Sequence, residues 1–237
     1  MGFVDLHSHV LAALDDGAPA PTVSAALVQG LVDIGFTEVC ATPHQKAGQF
    51  MPSRDAIDAA YRALTSATAA GAPTFHLAAE NMWDDVFFER LQRQEIPSYN
   101  GGPAFLFELR PTSMPPGLAD HLFKLRLAGR LPVMAHPERY TALWDDEALL
   151  HQLHNHSAFL IDLGAIAGAH GRRECKAARR MVEDGLAHAV ASDTHNLDDV
   201  RLAAEGIAWI RKRCGDRVVT RLLDEHPRAT LAGELPG

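Results

Sequence analysis

Seven short apolar runs, spaced by longer amphipathic stretches, constrain this chain more than any other feature. The runs are FVDLHSHV (3–10), EVCATPH (38–44), TFHLAAE (74–80), AFLFELR (104–110), LPVMAH (131–136), FLIDLG (159–164) and AHAVASD (187–193). Helical patterns separate them: TVSAALVQGLVDIG (22–35), SRDAIDAAYRALTSATAAG (53–71), DDVFFERLQRQ (84–94), PGLADHLFKLRLAG (116–129), EALLHQLHN (147–155) and RRECKAARRMVEDG (172–185). Several of these close on glycine, as helix C-termini do. Two more helical stretches, 198–215 and 217–227, follow the last run. Strands alternating with helices predict an α/β fold with a parallel sheet, open or closed into a barrel. No Pro/Ser/Gly-rich linker or short repeat divides the 237 residues, so 1–237 is expected to form a single domain.

The polar residues of these runs sit at their C-terminal ends. Successive side chains of a strand alternate faces, so His7 and His9 project to the same side. Asp15 and Asp16 follow in a turn closed by Gly17, and Asp15 is expected to serve that turn or to brace a neighbour. His44, Glu80, Glu108 and His136 end later runs, and SDTHN supplies Asp193 and His195. Six of the seven runs end this way. In a parallel barrel all strand C-termini meet on one face, where active sites are assembled.

Imidazole and carboxylate without thiolate suits Mn, Fe or Zn better than Mg or Ca, which prefer oxygen alone. Nine candidates exceed what one ion accepts, which implies two or three divalent ions with at least one bridging carboxylate. Cys40, Cys175 and Cys214 are too few and scattered for a disulfide framework, and suggest a reducing, cytoplasmic setting. A cysteine-dependent phosphatase is excluded, because the sixth residues after them are Lys46, Met181 and Thr220, not arginine. A net charge of −8 argues against nucleic acid as a partner, and no apolar run is long enough to insert in a membrane. His151, His154 and His156 are expected to be solvated, His121, His170 and His226 to lie at the surface, and His76 and His188 to have core or edge roles. Trp83, Phe87 and Phe88 suit either a substrate rim or the core.

In this order H-x-H, D-D-G, T-P-H, a mid-chain Glu, A-H-P-E-R and S-D-x-H-N resemble the polymerase and histidinol phosphatase superfamily. DLHSHVLAALDDG, ATPHQKAG, PVMAHPERY and ASDTHN most resemble its bacterial manganese-dependent protein-tyrosine phosphatases of capsular and exopolysaccharide operons. The resemblance spans essentially the whole chain. It implies a distorted seven-stranded (β/α) barrel with three divalent ions, Mn foremost. His7, His9, Glu80 and Asp193 would hold the first, Glu80, Glu108 and His136 the second, and Asp16, His44 and His195 the third. Arg139 would grip the substrate phosphate, with His44 and Asp193 also catalytic. Where the family often has a basic or histidine residue directly after T-P-H, this chain has Gln45 and then Lys46. Where it tends to place arginine five residues after the last histidine, this chain has Val200 and then Arg201. Lys46 and Arg201 are the expected further phosphate contacts. The implied substrate is the phosphorylated tail of a tyrosine kinase; histidinol phosphate or another small phosphomonoester is the alternative, and an oligomer is compatible with the sequence.

Overall fold

The computed structural model describes residues 2–67 and 71–236. Strand β1 (Phe3–Ser8) is followed by α1 (Pro21–Asp33), β2 (Phe36–Ala41), β3 (His44–Gln45), α2 (Arg54–Ala67), β4 (Thr74–Leu77), β5 (Glu80–Met82) and α3 (Asp85–Arg93). Then come β6 (Ala104–Glu108), α4 (Leu118–Leu127), β7 (Leu131–Ala135), α5 (Glu147–His154), β8 (Ala158–Asp162), α6 (Leu163–Ala167), α7 (Arg172–Glu183), β9 (Ala189–Ala191) and α8 (Leu197–Cys214). The end of the expected 53–71 helix lies outside the described residues.

Every strand pairing is parallel, in two sheets ordered β1-β2-β4 and β3-β5-β6-β7-β8-β9. Nine short strands thus occupy the seven expected positions. The second run breaks at Thr42–Pro43 and the third at Ala78–Ala79, which moves each strand from one sheet to the other. Proline has no N–H to give a ladder, which is the physical reason for the first break. No closed barrel is present among the described strands. The sheets are joined beside β1, where Ser8 bridges Thr194 and Asp193 N–H donates to the His7 carbonyl (3.0 Å).

Alternation along β6–β9 sorts the core into two layers. Leu106, Val133, Leu160 and Ala189 pack in one cluster inside the curved sheet; Phe105, Phe107, Met134, Phe159 and Val190 pack outward against the helices. Both faces of these strands are therefore apolar, as for parallel sheets covered on both sides. Phe87 is buried among the outer cluster, with Trp83 and Phe88 half-buried against it; Trp83 stacks on Phe87 at 4.8 Å, so these aromatics are packing residues. The expected 217–227 helix divides into α9 (Asp216–Thr220), a π-turn (Arg221–Glu225) and α10 (His226–Leu231), where Pro227 cannot donate to the preceding turn.

Candidate metal centre and phosphate pocket

The C-terminal strand ends converge on one cluster. His7 and His9 present their rings 5.0 Å apart; His9 stacks on His195 at 4.0 Å and lies 4.6 Å from His44. Thr42 Oγ1 stands 2.6 Å from His7 Nδ1, and Asp15 Oδ2 stands 2.9 Å from His9 Nδ1. With their far nitrogens held, both rings turn Nε2 toward the carboxylates. Asp15 also accepts from the His44 and Gly17 amides (3.0 Å each), tying the acidic turn to two histidine segments. Gly17 is required there: a Cβ would stand 2.2 Å from the His9 carbonyl oxygen.

Two strand ends leave the regular backbone at the site. His136 (φ 36°) and Asp193 (φ 48°) occupy the left-handed region, which costs a non-glycine residue about 1–3 kcal/mol. In an unbroken strand, residue 136 would share the outward face of Met134. The left-handed turn breaks that alternation where His136 Nε2 reaches Glu80 Oε1 at 2.8 Å.

Candidate ligand atoms lie within 4.8 Å of one another in four overlapping groups: His9–Asp16–His44–His195, His7–His136–Asp193, His7–His9–Glu80 and His44–Glu80–Glu108. All nine expected ligands fall in them. The grouping differs from the expected sets: His136 joins His7 and Asp193, Glu108 and Glu80 join His44, and His9 also joins Asp16, His44 and His195. His7 Nε2, His9 Nε2, His44 Nδ1 and Glu108 Oε1 are buried without a hydrogen-bond partner. Glu80 oxygens stand 3.4, 3.4 and 2.8 Å from those three ring nitrogens, at angles that make no hydrogen bond. Buried, unpartnered ring nitrogens converging with carboxylates fit a divalent cation, which would satisfy both once the rings release their protons.

Without a cation, the carboxylates hold protons on the rings. Burial alone would lower the His7 pKa, but Glu80 and Asp193 outweigh it and raise it to about 10. Burial likewise opposes charge on His44 and His195, yet Glu80 and Glu108 push the first up to about 11, and Asp16 and Asp193 push the second to about 9.

Arg139 sits beside this cluster. Its Nη2 donates to Asp162 Oδ2 (2.6 Å) and Asp193 Oδ2 (2.5 Å), and lies 3.0 Å from His170 Nε2. These residues, with His195, Asn196 and Asp199, line a pocket of about 310 Å³. Beneath it, burial and the neighbouring Asp162 raise the Glu138 pKa to about 8, so Glu138 is neutral at pH 7 while Arg139 keeps Asp162 ionised.

Lys46 Nζ reaches Glu108 Oε1 at 3.5 Å and so borders the cluster. Arg201 does not line the pocket. It lies on the exposed side of α8 and pairs with Glu205 and Asp198, its local partners on that helix. His154, expected to be solvated, is half-buried against His188 at 4.4 Å, while His170, exposed as expected, also joins Asp162 and Arg139. Asp162 was missed altogether, although it ends β8 within the one run, FLIDLG, that had no expected site residue. Its signal was its strand-end position.

Fold and site together define a parallel α/β protein with a histidine–carboxylate metal centre and an arginine-bearing anion pocket. The capsular polysaccharide synthesis family CpsB/CapC matches residues 3–232, and the chain belongs to that family. It is 31% identical to the tyrosine-protein phosphatase YwqE of Bacillus subtilis (strain 168), over 82% of this chain and 78% of that protein. It is 27% identical to the tyrosine-protein phosphatase CpsB of Streptococcus pneumoniae, over 98% and 99%. A crystal structure from the YwqE and CpsB pair, described as unique metal-dependent tyrosine phosphatases, superposes with a TM-score of 0.86 at 27% identity, covering 99% of this chain and 96% of that one.

Proposed function

We propose that this chain is a metal-dependent protein-tyrosine phosphatase acting in capsular or exopolysaccharide synthesis, on the phosphorylated tail of a cytoplasmic tyrosine kinase. The observation that carries the reading is the set of orphaned imidazole nitrogens facing Glu80 beside the Arg139 pocket. The names of the relatives point the same way. The proposed ligand sets are His7, His9, Glu80 and Asp193; Glu80, Glu108 and His136; and Asp16, His44 and His195, for three ions with manganese foremost. The two sheets are proposed to act as one distorted seven-position barrel in a single domain.

Divalent ions held there would supply Lewis-acid charge and a water of lowered pKa. The protein does the rest. Arg139 presents a planar guanidinium to the phosphate oxygens, and Asp162 and Asp193 fix its plane. His44 turns Nε2 toward Asp16 and Nδ1 toward Glu80 and Glu108, so one nitrogen can bind a cation while the other keeps a proton for the departing phenolate. Lys46, which borders the cluster at Glu108, would meet a further phosphate oxygen. No cysteine serves as nucleophile: Cys40 is fully buried with its thiol pKa pushed well up by that burial, and Cys175 and Cys214 lie outside the site.

Among the described residues no helix is long and apolar enough to cross a membrane. Assays with excess Mn²⁺ on a phosphotyrosine peptide, histidinol phosphate and single-stranded DNA test the assignment. The peptide should be preferred, chelation should abolish turnover, and thiol alkylation should leave it. A preference for histidinol phosphate, or a covalently phosphorylated residue in acid-quenched turnover samples, would overturn it.

A further inference from the structure

The most concentrated positive charge in this acidic chain has no part in the site. Helix α7 carries Arg172, Arg173, Lys176, Arg179 and Arg180 against Glu174 and Glu183, in a protein whose net charge is −8. Its flank, the half-buried face of Trp209 on α8 and Gly168–Gly171 enclose a groove of about 730 Å³. Helical spacing puts Arg172, Lys176 and Arg179 along the groove side, and all three line it.

The other charges of the groove are already engaged. Arg180 pairs with Glu147 and Asp184, and Glu183 pairs with Arg213. Arg179 lies with its guanidinium 5.0 Å from the Trp209 ring centroid and donates Nε to the Ile166 carbonyl (3.0 Å), which fixes it over the groove floor. Arg172 and Lys176 are exposed, and among the described residues their side chains have neither an ion pair nor a hydrogen bond. The result is an aromatic floor bordered by two uncommitted cations and a fixed guanidinium. That chemistry suits acidic side chains next to an apolar one.

The groove and the Arg139 pocket lie against the same loop. One loop serves both: Gly168 and Gly171 border the groove, and Ala169 and His170 between them border the pocket. The loop is bent through left-handed conformations at Gly168, His170 and Gly171. A chain whose phosphorylated residue lies against Arg139 therefore passes over this loop on its way to α7.

We propose that the α7–α8 groove is a docking surface for an acidic polypeptide segment flanking the substrate's phosphotyrosine. The inference rests on the phosphatase reading above and adds how that site selects its substrate. Arg172 and Lys176 meet carboxylates of the segment, and Trp209 takes a neighbouring apolar side chain. Nucleic acid would also be drawn to positive charge, but one helix face on a chain of net charge −8 is a small footprint for a polyanion.

The test compares the protein with its Arg172→Glu/Lys176→Glu and Arg172→Ala/Lys176→Ala variants, all loaded with Mn²⁺. Substrates are p-nitrophenyl phosphate, a phosphotyrosine peptide with glutamate flanks, and the same peptide with alanine flanks. The unsubstituted protein should prefer the glutamate peptide through KM, and charge reversal should raise that KM about tenfold while p-nitrophenyl phosphate turnover is kept. An equal KM for both peptides, or a preference that survives charge reversal, overturns the docking surface. A second arm needs no activity: a fluorescent, unphosphorylated glutamate-rich peptide is titrated by anisotropy. Its binding should weaken with salt and with either double substitution, and tighter binding of an oligothymidine of equal charge overturns the proposal. If no phosphoester is hydrolysed, the phosphatase reading fails, and the anisotropy arm still decides the groove.

Discussion

Metal loading of this site should expel protons, and their number can be worked from the geometry. In the metal-free chain the His7, His44 and His195 pKa values stand near 10, 11 and 9, because Glu80, Asp193, Glu108 and Asp16 face the rings. All three imidazoles are therefore charged at pH 7. A ligand nitrogen must be unprotonated, so filling the cluster should release roughly three protons per chain, and apparent affinity should climb steeply with pH between about 6 and 8. The assay is calorimetric titration of chelator-stripped protein with Mn²⁺ in two buffers of different ionisation heat. A release below about one proton per chain at pH 7 would refute the assignment of these rings as ligands. The same pairs set the pH stability of the stripped protein. Raised histidine pKa values stabilise fully below the unfolded value near 6.5, and that contribution is lost as pH rises through about 9 to 11. Glu80 and Asp193, held well below their ordinary values once their histidine and arginine partners outweigh burial, contribute above those values and lose their contribution as pH falls through the depressed ones. As far as these pairs are concerned, stripped protein should melt highest between about pH 5 and 6.5, and progressively lower as pH rises from there toward about 9 to 11.

Arg139→Lys keeps the charge and loses the planar fork, so kcat/KM on a phosphotyrosine peptide should fall by about 10² or more with metal content unchanged; metal lost along with activity would show that Arg139 supports the cluster instead. Asp15→Ala removes the group that orients His9 and accepts from the His44 amide, and elemental analysis over a metal titration should show affinity down about 10–100-fold; unchanged affinity would exclude its orienting role. His188 is buried, accepts from the Phe159 amide at Nδ1, and has its pKa lowered to about 3 by burial first and by His154 and His226 next. The unfolded chain binds that proton below about 6.5 and the folded chain does not, so stability should drop by at most about 1.4 kcal/mol per pH unit from pH 6.5 downward. His188→Gln, which can still accept from Phe159, should flatten that slope in thermal melts, and an unchanged slope would assign the acid sensitivity elsewhere.

The strand-end ligands were legible because local rules govern them. Apolar runs read as strands, their last residues must reach one face of a parallel sheet, and nine side chains of ligand type stand at or just past those positions. Asp162 obeyed the same rule, but it lay next to no other motif residue, and its role depends on Arg139, 23 residues earlier in the chain, reaching it across the sheet. His170 is exposed as expected, and what gives it a role there is the left-handed bend that brings it 2.9 Å from Asp162. Arg201 failed in the opposite direction. One residue of offset from the family position rotates a helical side chain by about 100°, and on α8 that turns it to Glu205 and solvent while Val200 packs inward.

By itself the sequence determined the alternation of strands and helices, the parallel direction of pairing and the identity of the candidate ligands, since each follows from periodicity and residue chemistry over a few neighbours. Tertiary structure alone decided how those ligands are shared among groups, which carboxylates hold Arg139, and that two runs break and pass from one sheet to the other. These depend on distances between residues far apart in the chain and on backbone turns at His136 and Asp193 that no local propensity favours. They exist because the packed sheets hold them there.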